Sequence, residues 1–259
     1  MKLSILGSSG SLGAPGNPAS GYLLSGSLAD ARPLLLDIGP GVLAAMQVTI
    51  NPADVHVLLS HLHADHCLDF PSLLVWRRYH PTLFAREKCY FLGPKNAPVH
   101  LGRLSADDPE GVDDVSDTFI FNAHQAHVPV ELEGYRVTPF PAVHPIEAYS
   151  LRVEEIATGQ VVAYSGDTAW TDELVECARD ADLFLCEATW GESCEGKAPD
   201  MHICGVEAGR AARLAGVKHL VLIHIPPWVD AHRVVEAARQ EYEGPITLGL
   251  PGTAVEVTA

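Results

Sequence analysis

The sequence predicts an α/β protein, one domain over residues 1–259, in which β-sheets lie beneath covering helices. Three observations lead there. Short runs of Val, Leu and Ile recur between turn residues, as buried strands do. Segments with helix-capping signals alternate with the later runs. Most runs end on an Asp, Glu or His, so the strand ends converge on one rim. With 47% hydrophobic residues the chain can bury a large core.

Met1 to Gly7 is strand-like, and Gly7-Ser8-Ser9-Gly10-Ser11-Leu12-Gly13 joins it to the next strand. That segment lacks the Gly-Lys-Ser/Thr ending of a phosphate-binding loop. It reads either as a turn between paired strands or as a set of backbone N–H groups, with Ser8 and Ser9, open to a phosphate. Leu34-Leu35-Leu36 ends at Asp37, and Val55 to Leu59 ends at a histidine cluster. A helix comes next over 68–79, starting near Pro71 and carrying Arg77 and Arg78, whose guanidinium forks suit phosphate. Two basic residues on a helix are more often solvent-facing.

Val137 to Val143 ends at His144, and Val161 to Tyr164 runs into Ser165-Gly166-Asp167-Thr168. Thr171 caps a helix to Asp180. Leu183 to Cys186 ends at Glu187. Gly205 to Ala215 is helical and stops at Gly216, where left-handed backbone costs little. Leu220 to Ile223 ends at His224, and Asp230 caps a last helix, His232 to Tyr242, closed by Gly244 and Pro245. Strands dominate early, and strand and helix alternate later.

The net charge is −16, from 17 basic and 33 acidic residues. A protein that grips a long polyanion presents clustered Lys and Arg. Ser105 to Thr118 holds six acidic residues and no basic one, reading as a solvated loop. The expected partner is a small molecule, not a long nucleic acid. No apolar run approaches the roughly 18 residues of a membrane span. The start lacks a secretory leader, so the expected location is the cytoplasm. Cys67, Cys89, Cys177, Cys186, Cys194 and Cys204 form no Cys-x-x-Cys pair, which suits reduced thiols.

Residues 60 to 66, Ser-His-Leu-His-Ala-Asp-His, carry three imidazoles and a carboxylate at the end of a buried run. Borderline divalent metals need such donors. In an extended or tightly turned segment, His61 and His63 share one side and reach one ion, while Asp65 and His66 serve another. Cys67 reads as a packed neighbour. Adding His144, Asp167 and His224 gives seven donors at strand ends.

At these residues the chain resembles the metallo-β-lactamase superfamily, whose His-x-His-x-Asp-His and later His, Asp and His are all present. The resemblance implies an αββα sandwich with a dinuclear site at one edge between the sheets. It assigns His61, His63 and His144 to one metal and Asp65, His66 and His224 to the other, with Asp167 bridging. Two such ions can share a hydroxide and clamp an in-line displacement. Zinc is the first expectation, with manganese or iron possible. Asp37 resembles a supporting carboxylate that orients a ligand.

Glu187 and His202 look like the Glu and His pair of the ribonuclease Z-like branch, where the imidazole can protonate a leaving oxygen. Asp65, Glu187 and His202 are therefore the catalytic assignments. Members that process tRNA carry a long arm between the positions of His144 and Asp167; only 22 residues, 145–166, lie there in this chain. Val55 to Pro81, Tyr164 to Thr168 and His224-Ile225-Pro226-Pro227-Trp228 look like the mycobacterial-type atypical cyclic-AMP phosphodiesterases. That implies hydrolysis of 3′,5′-cyclic nucleotides to 5′-monophosphates, with homodimerisation suggested by the branch. The alternatives are an RNA 3′-processing endonuclease, a hydrolase of small esters on this fold, and a catalytically silent scaffold, whose signature would be lost ligands; none is lost.

Overall fold

The computed structural model describes residues 1–28 and 31–258. The first half forms β1 (Lys2–Gly7), β2 (Gly21–Ser25), β3 (Leu34–Leu36), β4 (His56–Leu58), β5 (Cys89–Gly93) and β6 (Phe119–Ala123). The second half forms β7 (Val130–Leu132), β8 (Tyr135–Pro141), β9 (Tyr149–Glu155), β10 (Val161–Tyr164), β11 (Leu183–Glu187), β12 (Leu220–Ile223) and β13 (Ile246–Leu248), and β14 (Ala254–Glu256) returns to the first sheet. Two seven-stranded sheets result, in the orders β14-β1-β2-β3-β4-β5-β6 and β13-β12-β11-β10-β9-β8-β7.

Alternation along each strand builds the layers, because successive side chains point to opposite faces. Leu34, Leu36 and Leu58 of the first sheet meet Val162, Leu183, Leu185, Val221 and Ile223 of the second in one core. Leu35 and Val57 face the other way, onto α1 (Val42–Gln47), α3 (Phe70–Tyr79) and α4 (Ala97–Ser105). Ala163, Phe184, Cys186, Leu220 and Leu222 pack on α5 (Asp172–Ala178), α6 (Gly205–Ala215) and α7 (Ala231–Arg239). Strands buried on both faces read as unbroken apolar runs, which makes them legible in the sequence. The result is the expected αββα sandwich.

The expected caps are present. The Thr171 hydroxyl accepts from Glu173 N–H, the Asp230 carboxylate from His232 and Arg233 N–H, and Gly216 closes α6 at φ 68°. Helices are not confined to the second half, since α1, α3 and α4 cover the first sheet. The acidic segment is not wholly solvated either. Arg78 pairs with Asp113 at 2.5 Å and Asp117 at 2.8 Å.

Topology then decides where the chemistry goes. β3 and β4 are parallel, as are β10, β11 and β12. β8 runs antiparallel to β9 and β9 to β10, so β8 shares their direction. The residues just beyond these strands gather at one edge of the sandwich. Among the described residues no helix is long and apolar enough to cross a membrane.

Candidate metal centre

The loop after β4 runs from Ser60 into the short helix α2 (Ala64–Cys67) and supplies His61, His63, Asp65 and His66. His144 follows β8, Asp167 follows β10, and His224 follows β12. The seven side chains come together in two nests that share Asp167: His61, His63, His144 and Asp167, then Asp65, His66, Asp167 and His224.

Within the first nest the His63 Nδ1 lies 3.1 Å from His61 Nε2 and 2.9 Å from His144 Nε2. In the second, His224 Nε2 lies 3.1 Å from His66 Nε2 and 3.0 Å from Asp65 Oδ2. Donors about 2.0–2.1 Å from a tetrahedral ion sit about 3.3 Å from one another, so both nests have the scale of a coordination sphere. Asp167 Oδ1 is buried without a hydrogen-bond donor, 3.3 Å from His66 Nε2, while Oδ2 is 3.8 Å from His61 Nε2. An orphaned buried carboxylate oxygen between two donor sets needs a cation.

The electrostatics fit. Burial lowers the proton affinity of His61, His63 and His144, leaving neutral rings with lone pairs to give. Burial alone would raise Asp65, but hydrogen bonds from His224 and His66 outweigh it and hold the carboxyl well below its usual range. Burial likewise opposes ionisation of Asp167, and the charges of His224 and His66 overcome it. His66 behaves differently. Burial disfavours its charge, but Asp167 and Asp37 pull it well above the ordinary imidazole value, so proton and cation compete for this ring.

A second layer orients the donors. Asp37 Oδ2 lies 2.7 Å from His66 Nδ1 and accepts from the Tyr164 hydroxyl, and its Oδ1 accepts from Ser60 N–H at 2.7 Å. Asp37 thus supports the ligand loop, as expected. The Thr189 hydroxyl lies 2.7 Å from His224 Nδ1, and the Met201 carbonyl accepts from His144 Nδ1 at 2.9 Å. Sequence reasoning misses both. Thr189 sits two residues beyond Glu187 and offers a faint signal; a main-chain carbonyl offers none.

Glu187 is fully buried and held by the N–H groups of Thr168 and Thr189, at 2.7 and 3.2 Å. Its Oε1 lies 3.0 Å from His202 Nδ1, and His202 Nδ1 is 3.9 Å from Asp167. Burial works against a charge on His202. The Glu187 carboxylate, then Asp167, more than compensate, and His202 is pushed up to about 9. This imidazolium beside the nests can donate a proton at neutral pH.

Of the four candidates for phosphate contact, Arg77 and Arg78 lie away from the nests, whereas Ser8 and Ser9 lie in the loop beside His224. Arg77 is buried at the opposite end of the first sheet, where it donates to the carbonyls of Ala53, Glu87 and Thr118, which precede β4, β5 and β6. Arg78 is taken by Asp113 and Asp117. Ser8 donates its hydroxyl to the Gly249 carbonyl at 2.6 Å, and Ser9 is buried with its N–H on the Pro18 carbonyl at 3.1 Å. Their loop instead buttresses a ligand. A Cβ on Gly10 would lie 2.3 Å from the His224 carbonyl oxygen, so only glycine lets the loop approach the strained His224 backbone, at φ 55°. The thiols also need correcting. Cys194 and Cys204 form a disulfide, because the loop before α6 folds back on the helix start, while Cys67, Cys89, Cys177 and Cys186 are free and buried.

An αββα sandwich with two adjoining nests of His and Asp at its rim defines a metal-dependent hydrolase. The chain belongs to the β-lactamase superfamily: the family model for the beta-lactamase superfamily domain matches residues 32–225. It is 45% identical over 259 residues to an uncharacterized protein of Mycobacterium leprae, covering 100% of this chain and 89% of that one. It is 26% identical over 298 residues to a ribonuclease Z of Metallosphaera sedula, covering 93% and 94% of the two chains. The crystal structure of the metallo-beta-lactamase fold protein YhfI from Bacillus subtilis superposes with a TM-score of 0.84 at 23% identity, with 98% of each chain covered.

Proposed function

We propose that this hydrolase is a dinuclear phosphodiesterase that opens 3′,5′-cyclic nucleotides, cyclic AMP first among them, to 5′-monophosphates. The observation that carries the reading is the buried Glu187–His202 pair beside the carboxylate shared by the two nests. A thioester expels a thiolate that leaves without a proton, whereas an alkoxide leaving a phosphodiester needs one.

His61, His63 and His144 would hold one divalent ion, Asp65, His66 and His224 the other, and Asp167 would serve both. Bound there, the two ions would supply Lewis acidity and an activated water for in-line attack. Everything else comes from the chain. Glu187, fixed by two backbone N–H groups, accepts the hydrogen bond of His202 Nδ1–H and leaves Nε2–H as the donor to the departing oxygen. The Asp37 carboxylate fixes which nitrogen His66 offers to a cation, as Thr189 does for His224.

RNA processing is the second reading, favoured by the similarity to a ribonuclease Z. Two facts weigh against it. The net charge is −16, and the stretch between His144 and Asp167 is filled by the hairpin of β9 and β10, leaving no arm. Product analysis decides. Zinc- or manganese-loaded protein, offered cyclic AMP, cyclic GMP, a tRNA precursor and a thioester, should release 5′-monophosphate. Intact cyclic nucleotides beside a cleaved tRNA precursor or thioester would overturn the proposal.

A further inference from the structure

The segment from Glu192 to Cys204 joins β11 to α6, and it is fastened at three points. The Cys194–Cys204 disulfide closes it, Lys197 Nζ lies 2.7 and 2.6 Å from the two Glu207 carboxylate oxygens, and Trp190 Nε1 donates to the Glu195 carbonyl at 3.2 Å. Glu207 also accepts from Cys204 N–H at 3.1 Å, so the ion pair and the disulfide share one anchor at the start of α6. Between these fastenings lie two adjacent groups aimed at the site: the Met201 carbonyl on His144 Nδ1 and the His202 ring on Glu187. One strap therefore carries both the acid and the outer support of a metal ligand.

We propose that Cys194, Cys204 and Lys197 are positioning residues, and that the strap they fasten couples proton donation by His202 to cation retention by His144. The acid half rests on the function proposed above; the cation half does not. The linkage is also chemically openable. Cys194 is part-exposed, whereas Cys204 is buried at the N-cap of α6. A dithiol reductant attacking Cys194 would expel a Cys204 thiolate that sits at the start of α6, where the helix end stabilises negative charge. One S–S bond breaks and another forms within the reductant. Two electrons pass from the dithiol, which becomes a disulfide, and its two protons end on Cys194 and Cys204.

The test uses the full chain loaded with zinc, as oxidised protein, as protein treated with dithiothreitol, and as Cys194→Ser. Turnover at saturating zinc is measured on cyclic AMP, whose alkoxide must be protonated, and on bis(p-nitrophenyl) phosphate, whose leaving group needs no proton. Zinc retention is measured by competition with a chelator. Opening the strap should lower cyclic-AMP turnover at least about tenfold and leave the nitrophenyl substrate unchanged. It should weaken zinc retention about tenfold, with recovery on reoxidation. Equal effects on both substrates, or zinc retention untouched by either treatment, would overturn the proposal. If neither substrate is cleaved by any form, the functional reading falls and zinc retention alone judges the strap.

Discussion

His202 Nδ1 lies 3.0 Å from Glu187 Oε1, and Glu187 has no access to water. A charge-assisted hydrogen bond in so dry a place is strong, because the Glu187 carboxylate has no solvent as an alternative. The pair links the second sheet, which fixes the glutamate, to the loop that brings the imidazole.

That link sets a pH dependence. With the His202 value at about 9, held there by Glu187 against burial, the imidazolium form is present at neutral pH and lost as pH rises through 9. Activity on an alkoxide-leaving substrate should fall on that alkaline limb. Glu187→Gln removes the carboxylate, moves the limb toward the ordinary value near 6.5, and lowers turnover at pH 8 by about 30-fold as the imidazolium is lost. A pH–rate profile whose alkaline limb is the same in both proteins would contradict this. By linkage the same pair stabilises the fold fully below about 6.5, a contribution lost between there and 9.

Asp37→Asn keeps the shape of the side chain but no longer draws the proton onto His66 Nδ1. Metal affinity should fall by roughly 10–100-fold, with near-unchanged circular dichroism. Isothermal titration with zinc against a competing chelator reads it, and unchanged affinity would remove Asp37 from the support of the site.

Arg77→Leu leaves the carbonyls of Ala53, Glu87 and Thr118 without their donor in a buried place. Stability should drop by about 3 kcal/mol. The KM for any phosphodiester should stay as it was. Urea denaturation and steady-state kinetics on the same preparation test both halves; a raised KM at unchanged stability would return Arg77 to substrate binding.

His124 is buried, and burial pushes it down to about 4 despite its hydrogen bond to the Leu59 carbonyl. The unfolded chain binds this proton near 6.5, so between 6.5 and 4 the unfolded state holds more protons and acid destabilises the fold. The loss should be complete near pH 4 and amount to about 3 kcal/mol. His124→Gln keeps a donor for Leu59 and cannot titrate. Its urea midpoint should therefore fall less between pH 7 and pH 5 than that of the parent protein, and parallel falls would refute the assignment.

How legible each feature is depends on how it is encoded. Doubly buried strands write themselves as apolar runs, α6 stops at Gly216 and α7 starts at Asp230, so these are readable, although α7 ends at Arg239, before the expected Gly244 and Pro245. The short α1 and α4 lack strong caps, and α2 is composed of the ligand residues themselves, so no apolar stripe marks it. The seven donors are readable because each is a rare residue type at a strand end. Arg77 misleads because a guanidinium that ties three strand entrances together has the same letter as one that binds phosphate. The glycine-rich turn that carries Ser8 and Ser9 serves close backbone approach to His224, which the sequence pattern does not distinguish from anion capture. The Cys194–Cys204 linkage joins residues ten apart across a loop whose path no local pattern specifies.

The donors are divided between the two sheets: His61, His63, Asp65 and His66 hang from the first, and His144, Asp167 and His224 from the second. An ion held by them is a rivet through the seam of the sandwich. During synthesis the first group emerges about 80 residues before His144, as an open half-chelate with no shared carboxylate to close it. Tight capture thus waits until the halves have docked, and ion retention becomes a readout of completed assembly.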